Sequence, residues 1–148
     1  TWLGSSEHIL DQRTHYESFR HVNGYPHLYY TFIANVMRAG VQDYITPFPT
    51  TSETAAIVLK TLGAKAQFIY IDAAHEYEPA YRDISVFWDL LDDNGVMMCD
   101  DYGYCDVTAA VCTFAGEVKC PVYGTYGKAL LSKNNERAFH LELKGFDP

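Results

Sequence analysis

Four residues in two short stretches carry the chemistry this sequence offers. In "FIYIDAAHEYEPAYRDI", Phe68 to Ile84, an apolar run leads straight into Asp72, and His75 follows three residues later. In "VMMCDDYGY" a second apolar run, Val96 to Cys99, delivers Asp100 and Asp101. Three carboxylates in one crevice repel one another, so either one takes a proton or a cation joins them. Oxygen-only donors favour a hard ion, Mg²⁺ or Ca²⁺. The plainer alternative is that these acids cap helices, although Asp72 and Asp100 each end a strand pattern. His75 has three readings: a general base, a substrate contact or an exposed loop residue. The remaining histidines form no metal-like spacing, and Cys99, inside a strand pattern, reads as core.

Convergence of these acids requires particular elements. Asp72 and Asp100 stand 28 residues apart, with one loop, one helix, one turn and one strand between them. That interval is a single βαβ unit, whose two strands run parallel and side by side. Neighbouring strands lie about 4.8 Å apart, and open α/β sheets bind ligands at the carboxyl ends of their strands. The spacing therefore predicts Asp72, Asp100 and Asp101 within a few ångströms of one another.

The rest of the chain supplies the frame. Residues 1–25 are polar and give no clear pattern. Pro26 opens a helix with Leu28, Tyr29, Phe32, Ile33, Val36 and Met37 on one face, and Gly40 stops it. A short strand is expected at Val41–Thr46. "PFPTTSETAAIVLKTLG" reads as a loop and a second helix, with Thr50 and Glu53 at capping-box spacing and Gly63 closing it. Ala66–Ile71 is a strand, Pro79 starts a third helix, and "DDNG" turns the chain into the strand Val96–Cys99. Asp106 caps a fourth helix to about Ala115. Two strands, Tyr126–Ser132 and Ala138–Leu143, are expected as a closing hairpin around "KNNE". Alternation of this kind predicts one α/β domain over residues 1–148, its sheet parallel in the middle with an antiparallel edge.

Composition narrows the function. With 148 residues, 48% of them hydrophobic and 15% aromatic, the chain can bury a sizeable core. A net charge of −8 argues against nucleic-acid partners. No apolar run approaches the roughly 20 residues of a membrane span, so no membrane role is expected. Four cysteines without a C-x-x-C pair make a zinc site improbable and fit reduced thiols in a cytoplasm.

The stretch "FIYIDAAHEYEPAYRDISVFWDLLDDNGVMMCDDYGY" resembles the second half of a class I S-adenosylmethionine-dependent methyltransferase. Within that class it is most similar to the metal-dependent small-molecule O-methyltransferases of catechol and macrocin type. The match rests on Asp72, His75, Asp100 and Asp101, with Asn94-Gly95 at the turn, and extends over about residues 41–132. The resemblance implies a Rossmann-like methyltransferase sheet. It implies Asp72, Asp100 and Asp101 as ligands of a divalent metal, with Asp72 or His75 nearest the substrate hydroxyl. It places Trp2, Thr51, Ser52 and Glu53 near the adenine, and Asp72 and Ala73 against the adenosyl group.

One feature of the family is missing. No G-x-G turn precedes residue 41, and the family uses such a turn, after its first strand, to hold the methionine part of the cofactor. "TWLGSSEHIL" resembles the segment immediately after the family's second strand, so the chain is expected to start just past that strand, as the C-terminal portion of the domain. Weak or absent cofactor binding by these residues alone is expected. Without its neighbours, the strand Ala66–Ile71 would present an open edge, to be repaired by the strand Val41–Thr46 or by a second chain, and a homodimer is expected. The alternatives are a non-catalytic α/β module that assembles with a partner, and a metal-dependent hydrolase using the same acids. The methyl acceptor, a small molecule, is not legible.

Overall fold

The computed structural model describes residues 2–4, 21–125 and 127–134. The chain divides into two compact units, residues 1–51 and residues 52–148.

In the first unit two short strands, β1 (His21–Val22) and β2 (Tyr25–Pro26), pair antiparallel. Asn23 and Gly24 join them, both at positive φ, 53° and 80°. Asn-Gly is the residue pair that a two-residue hairpin turn of this hand requires. Helix α1 (His27–Ala39) comes next, with Pro26 as its N-cap. Gly40 ends it at φ 67°, where the Gly40 N–H donates to Met37 O and the Val41 N–H to Val36 O, closing the last carbonyls as glycine caps do. Val36 is buried as the apolar stripe requires, whereas Met37 is 60% exposed. The strand expected at Val41–Thr46 is not formed. Gln42–Tyr44 is a 3₁₀ turn, held by Tyr44 N–H to Val41 O at 3.0 Å. Gln42, Asp43 and Tyr44 are all exposed, so no buried face rewards an extended conformation there.

The second unit is built around a four-stranded sheet. Helix α2 (Ser52–Thr61) leads to β3 (Ala66–Ile71), helix α3 (Tyr77–Trp88), β4 (Leu91–Cys99), helix α4 (Cys105–Glu117), then β5 (Tyr123–Thr125) and β6 (Lys128–Ser132). The strand order is β3-β4-β6-β5. β3 and β4 are parallel, as a βαβ crossover dictates, while β6 is antiparallel to both β4 and β5. This is an α/β fold with a mixed sheet and an antiparallel edge.

Four boundaries differ from expectation. Helix α3 begins at Tyr77, because Pro79 sits in the first turn, where its missing N–H costs nothing. Helix α4 begins at Cys105, behind the N-cap Tyr104, so Asp106 lies in the first turn and interacts with the helix dipole. "DDNG" is part of β4 and bulges out of the ladder: Ala66 pairs with Leu91 but Phe68 with Val96. The edge hairpin is β5–β6, turning at Gly127 (φ 76°). Ala138–Leu143 lies outside the described residues.

Helices α3 and α4 bury the face of the sheet formed by Leu91, Met97, Cys99, Ala129 and Leu131, together with their own Ile84, Val107, Val111 and Phe114. Trp88 and Tyr81 meet the Phe114 ring edge-on, with centroids 5.5 and 6.2 Å apart. Among the described residues no helix is long and apolar enough to cross a membrane.

Candidate functional site

Pairing of β3 with β4 sets the register of the acids. Ile71 stands opposite Cys99, so the next residue on each strand is a carboxylate. The ladder continues one step beyond β4, with Asp100 N–H donating to Ile71 O at 2.8 Å. Asp101 then turns away at φ 54°, and its N–H donates to Asp100 Oδ1 at 2.7 Å. Aspartate tolerates this left-handed conformation better than most residues. One oxygen from each of Asp72, Asp100 and Asp101 lies within 4.8 Å of the other two. The predicted convergence is met.

These donors fit a hard cation. Oxygens on opposite sides of a Ca²⁺ ion, at about 2.4 Å each, stand about 4.8 Å apart, and those around Mg²⁺ stand closer. Asp72 is exposed and the other two are half-buried, which leaves an entry path.

The protein's own side chains already meet two of the three charges. Lys128, the first residue of β6, donates from Nζ to Asp100 Oδ1, and the Tyr70 hydroxyl donates to Asp100 Oδ2. The Lys128 ammonium and the Tyr70 hydroxyl together hold the Asp100 carboxyl well down, to about 2. Reciprocally, the Asp100 carboxylate raises the Tyr70 hydroxyl and the Lys128 ammonium above their ordinary values. His75 Nε2 lies 2.8 Å from Asp101 Oδ2. An ionised carboxylate only accepts, so this contact puts a proton on Nε2 and leaves Nδ1 as the basic nitrogen of the neutral ring. The Tyr104 ring stacks on His75, 5.0 Å between centroids and 11° between planes. Beneath these groups lies a recess of about 10 Å³, lined by Ile71, Ala73, Ala74, His75, Asp100 and Asp101 among others.

Sequence reasoning missed Tyr70 and Lys128. Lys128 had a signal, as a lone charge opening the apolar run "KALLS". Tyr70 had none, since a tyrosine inside a strand pattern reads as packing. In the aromatic stretch "YGY", Tyr102 and Tyr104 take separate roles. Tyr102 packs on the hairpin: a Cβ at Gly124 would stand 2.8 Å from the Tyr102 ring, and its hydroxyl lies 3.7 Å from Cys112 Sγ. Tyr104, 58% exposed, belongs to the site through His75.

The remaining expected site residues belong to other elements. Ser52 and Glu53 open α2 and both engage α3: Arg82 donates to Glu53 Oε1 at 3.1 Å, and Ser52 hydrogen-bonds Asp83, whose carboxyl burial pushes up. Trp2 and Thr51 belong to the first unit. Trp2 packs there against Tyr29 and Phe32, with centroids 5.7 and 4.7 Å away. Cys99 is core, as expected, and burial pushes its thiol up to about 12.

Comparison with known proteins adds the family. A sequence profile described as "Methyltransferase domain" matches residues 5–102. No curated protein matches the chain. Two solved structures share the fold. The apo structure of CalS11, a TDP-rhamnose 3'-O-methyltransferase in calicheamicin biosynthesis, is 17% identical with a TM-score of 0.53, over 70% of this chain and 51% of that one. A second structure, of the calicheamicin methyltransferase CalS11, is 16% identical with a TM-score of 0.54, over 76% of this chain and 52% of that one. The chain thus spans about half the length of the structures it matches.

Proposed function

The chain belongs to the methyltransferase-domain family, and from that premise we propose that it serves S-adenosylmethionine-dependent methylation of a hydroxyl on a small molecule. In this reading His75 accepts the proton, and Asp72, Asp100 and Asp101 hold a divalent cation. One observation carries it: three carboxylates and a carboxylate-anchored histidine converge at the carboxyl ends of β3 and β4. Support for an oxygen acceptor comes from the shared fold with CalS11, itself named as an O-methyltransferase.

S-Adenosylmethionine would supply a methyl group on a positively charged sulfur, and a divalent ion would supply positive charge beside the acceptor. The chain's own residues do the rest. Asp72 and Ala73, both exposed at the end of β3, would border the adenosyl group. Asp101 fixes the His75 ring through Nε2, and Tyr104 holds its plane. His75 Nδ1 would take the hydroxyl proton, leaving the acceptor oxygen to receive the methyl group in place of the sulfur. Positioning the two reactants in line would supply much of the rate.

The test is label transfer from methyl-tritiated S-adenosylmethionine, at millimolar concentration with Mg²⁺, to phenols and sugars. Transfer is expected, falling about a hundredfold in His75→Ala. Transfer that survives both His75→Ala and Asp72→Asn would overturn the reading. So would its absence with every acceptor while amide NMR shows the cofactor bound at Asp72 and Ala73.

A further inference from the structure

We propose that Lys128 is the resident counter-cation of Asp100, and that a divalent cation reaches this carboxylate in competition with it. The inference rests on the cation reading above and concerns what the protein does with the site before an ion arrives.

The topology places Lys128 there. β6 runs antiparallel to β4 with Ala129 opposite Cys99, so Lys128 is the residue across from Asp100. Its ammonium donates to Asp100 Oδ1 and also lies 5.7 Å from the Tyr70 ring centroid. Oδ1 accepts from the Asp101 N–H as well, which fills its two lone-pair directions. Oδ2 accepts from the Tyr70 hydroxyl and keeps one. An ion that takes that last position sits within a few ångströms of the ammonium. Like charges at that distance repel strongly in a half-buried crevice. An ion that takes Oδ1 must evict the lysine outright.

Eviction is sterically open. The Lys128 side chain is 34% exposed and that of Asp100 is 16% exposed, so the carboxylate is held in the crevice while the lysine has a path to water. Once displaced, its long stem can lie along the surface with the ammonium solvated. Without an ion, the same lysine offsets the repulsion among Asp72, Asp100 and Asp101. One side chain thus stabilises the ion-free site and weakens ion binding, and the two effects are linked thermodynamically.

Calorimetric titration with Mg²⁺ tests this on the intact chain, with wild type, Lys128→Met, Lys128→Arg and Asp100→Asn. Lys128→Met is expected to bind about tenfold more tightly than wild type. Lys128→Arg, which keeps the charge, should stay near wild type, and Asp100→Asn should lose binding. Equal or weaker binding by Lys128→Met beside a wild type that binds would overturn the competition and leave the cation site standing. Absence of binding in both would overturn the competition and the cation site together. A second measurement needs no variant: acetylation of Lys128 in the wild-type chain, read by mass spectrometry, should accelerate when Mg²⁺ is added. Slower or unchanged labelling in an ion-bound chain would also overturn the proposal.

Discussion

Asp100 concentrates the electrostatics of the site. It accepts from Lys128, from Tyr70 and from the backbone of Asp101. Its carboxyl titrates at about 2 in the folded chain, against about 4 when unfolded. A depressed folded value means that the folded state favours the ionised form. The resulting stability is fully present above about pH 4 and is lost as pH falls through about 2. Asp100→Asn should therefore lower the unfolding midpoint at pH 7, and the gap from wild type should close as pH falls from about 4 to about 2. Denaturant melts over that range check it. A gap that stays constant with pH would assign the loss to packing instead. Asp101 plays a different part, spending its left-handed backbone on aiming a carboxylate at His75.

Strand β4 determines whether the acids meet. Its carboxyl half pairs in register with β3, but its amino half does not, because Asp92 to Gly95 bulge between Leu91 and Val96. Asn94 N–H donates to Asp92 Oδ1 at 3.1 Å, an Asx turn that sustains the bulge. Gly95 returns the chain to the sheet where a side chain has no room. A Cβ there would lie 2.7 Å from Leu91 Cδ1 and 2.9 Å from Ala66 O. The Gly95 carbonyl is also bound by the buried Ser132 hydroxyl, at 2.8 Å. Gly95→Ala should cost about 1–3 kcal/mol through this crowding, measured as a shift of the urea midpoint. An unchanged midpoint would show that the bulge relaxes freely.

At the scale of the whole molecule, apolar surface on the second unit stands out. Among the described residues β3 pairs with β4 alone, and it carries Phe68, 56% exposed, and Tyr70, 44% exposed. Ile57 of α2 and Leu62, just past its end, are 66% and 73% exposed. A strand edge with neither charge nor proline is a template for pairing. The 3₁₀ turn at Gln42–Tyr44 removes the internal strand that was expected to fill it. We propose a two-fold dimer, and sedimentation at micromolar concentration should show a species of twice the 16.8 kDa chain mass. A single species at the chain mass would refute it.

The sequence by itself determined the βαβ unit and its two acid-tipped strands. Apolar runs, a helical period and 28 residues of spacing leave few other topologies, so Asp72, Asp100, Asp101 and His75 were legible. It also held the Asn23-Gly24 hairpin in plain view, though its strands of two residues each, His21–Val22 and Tyr25–Pro26, are too short to show an alternating pattern. Tertiary structure alone decided what those acids touch. Lys128 lies 28 residues beyond Asp100 in the chain and reaches it only because β6 folds back antiparallel beside β4 with Ala129 opposite Cys99. Whether "DDNG" turned or bulged, and whether Val41–Thr46 extended or coiled, depended on neighbouring strands and buried faces. Local composition sets which conformations a segment tolerates, and packing against distant residues selects among them.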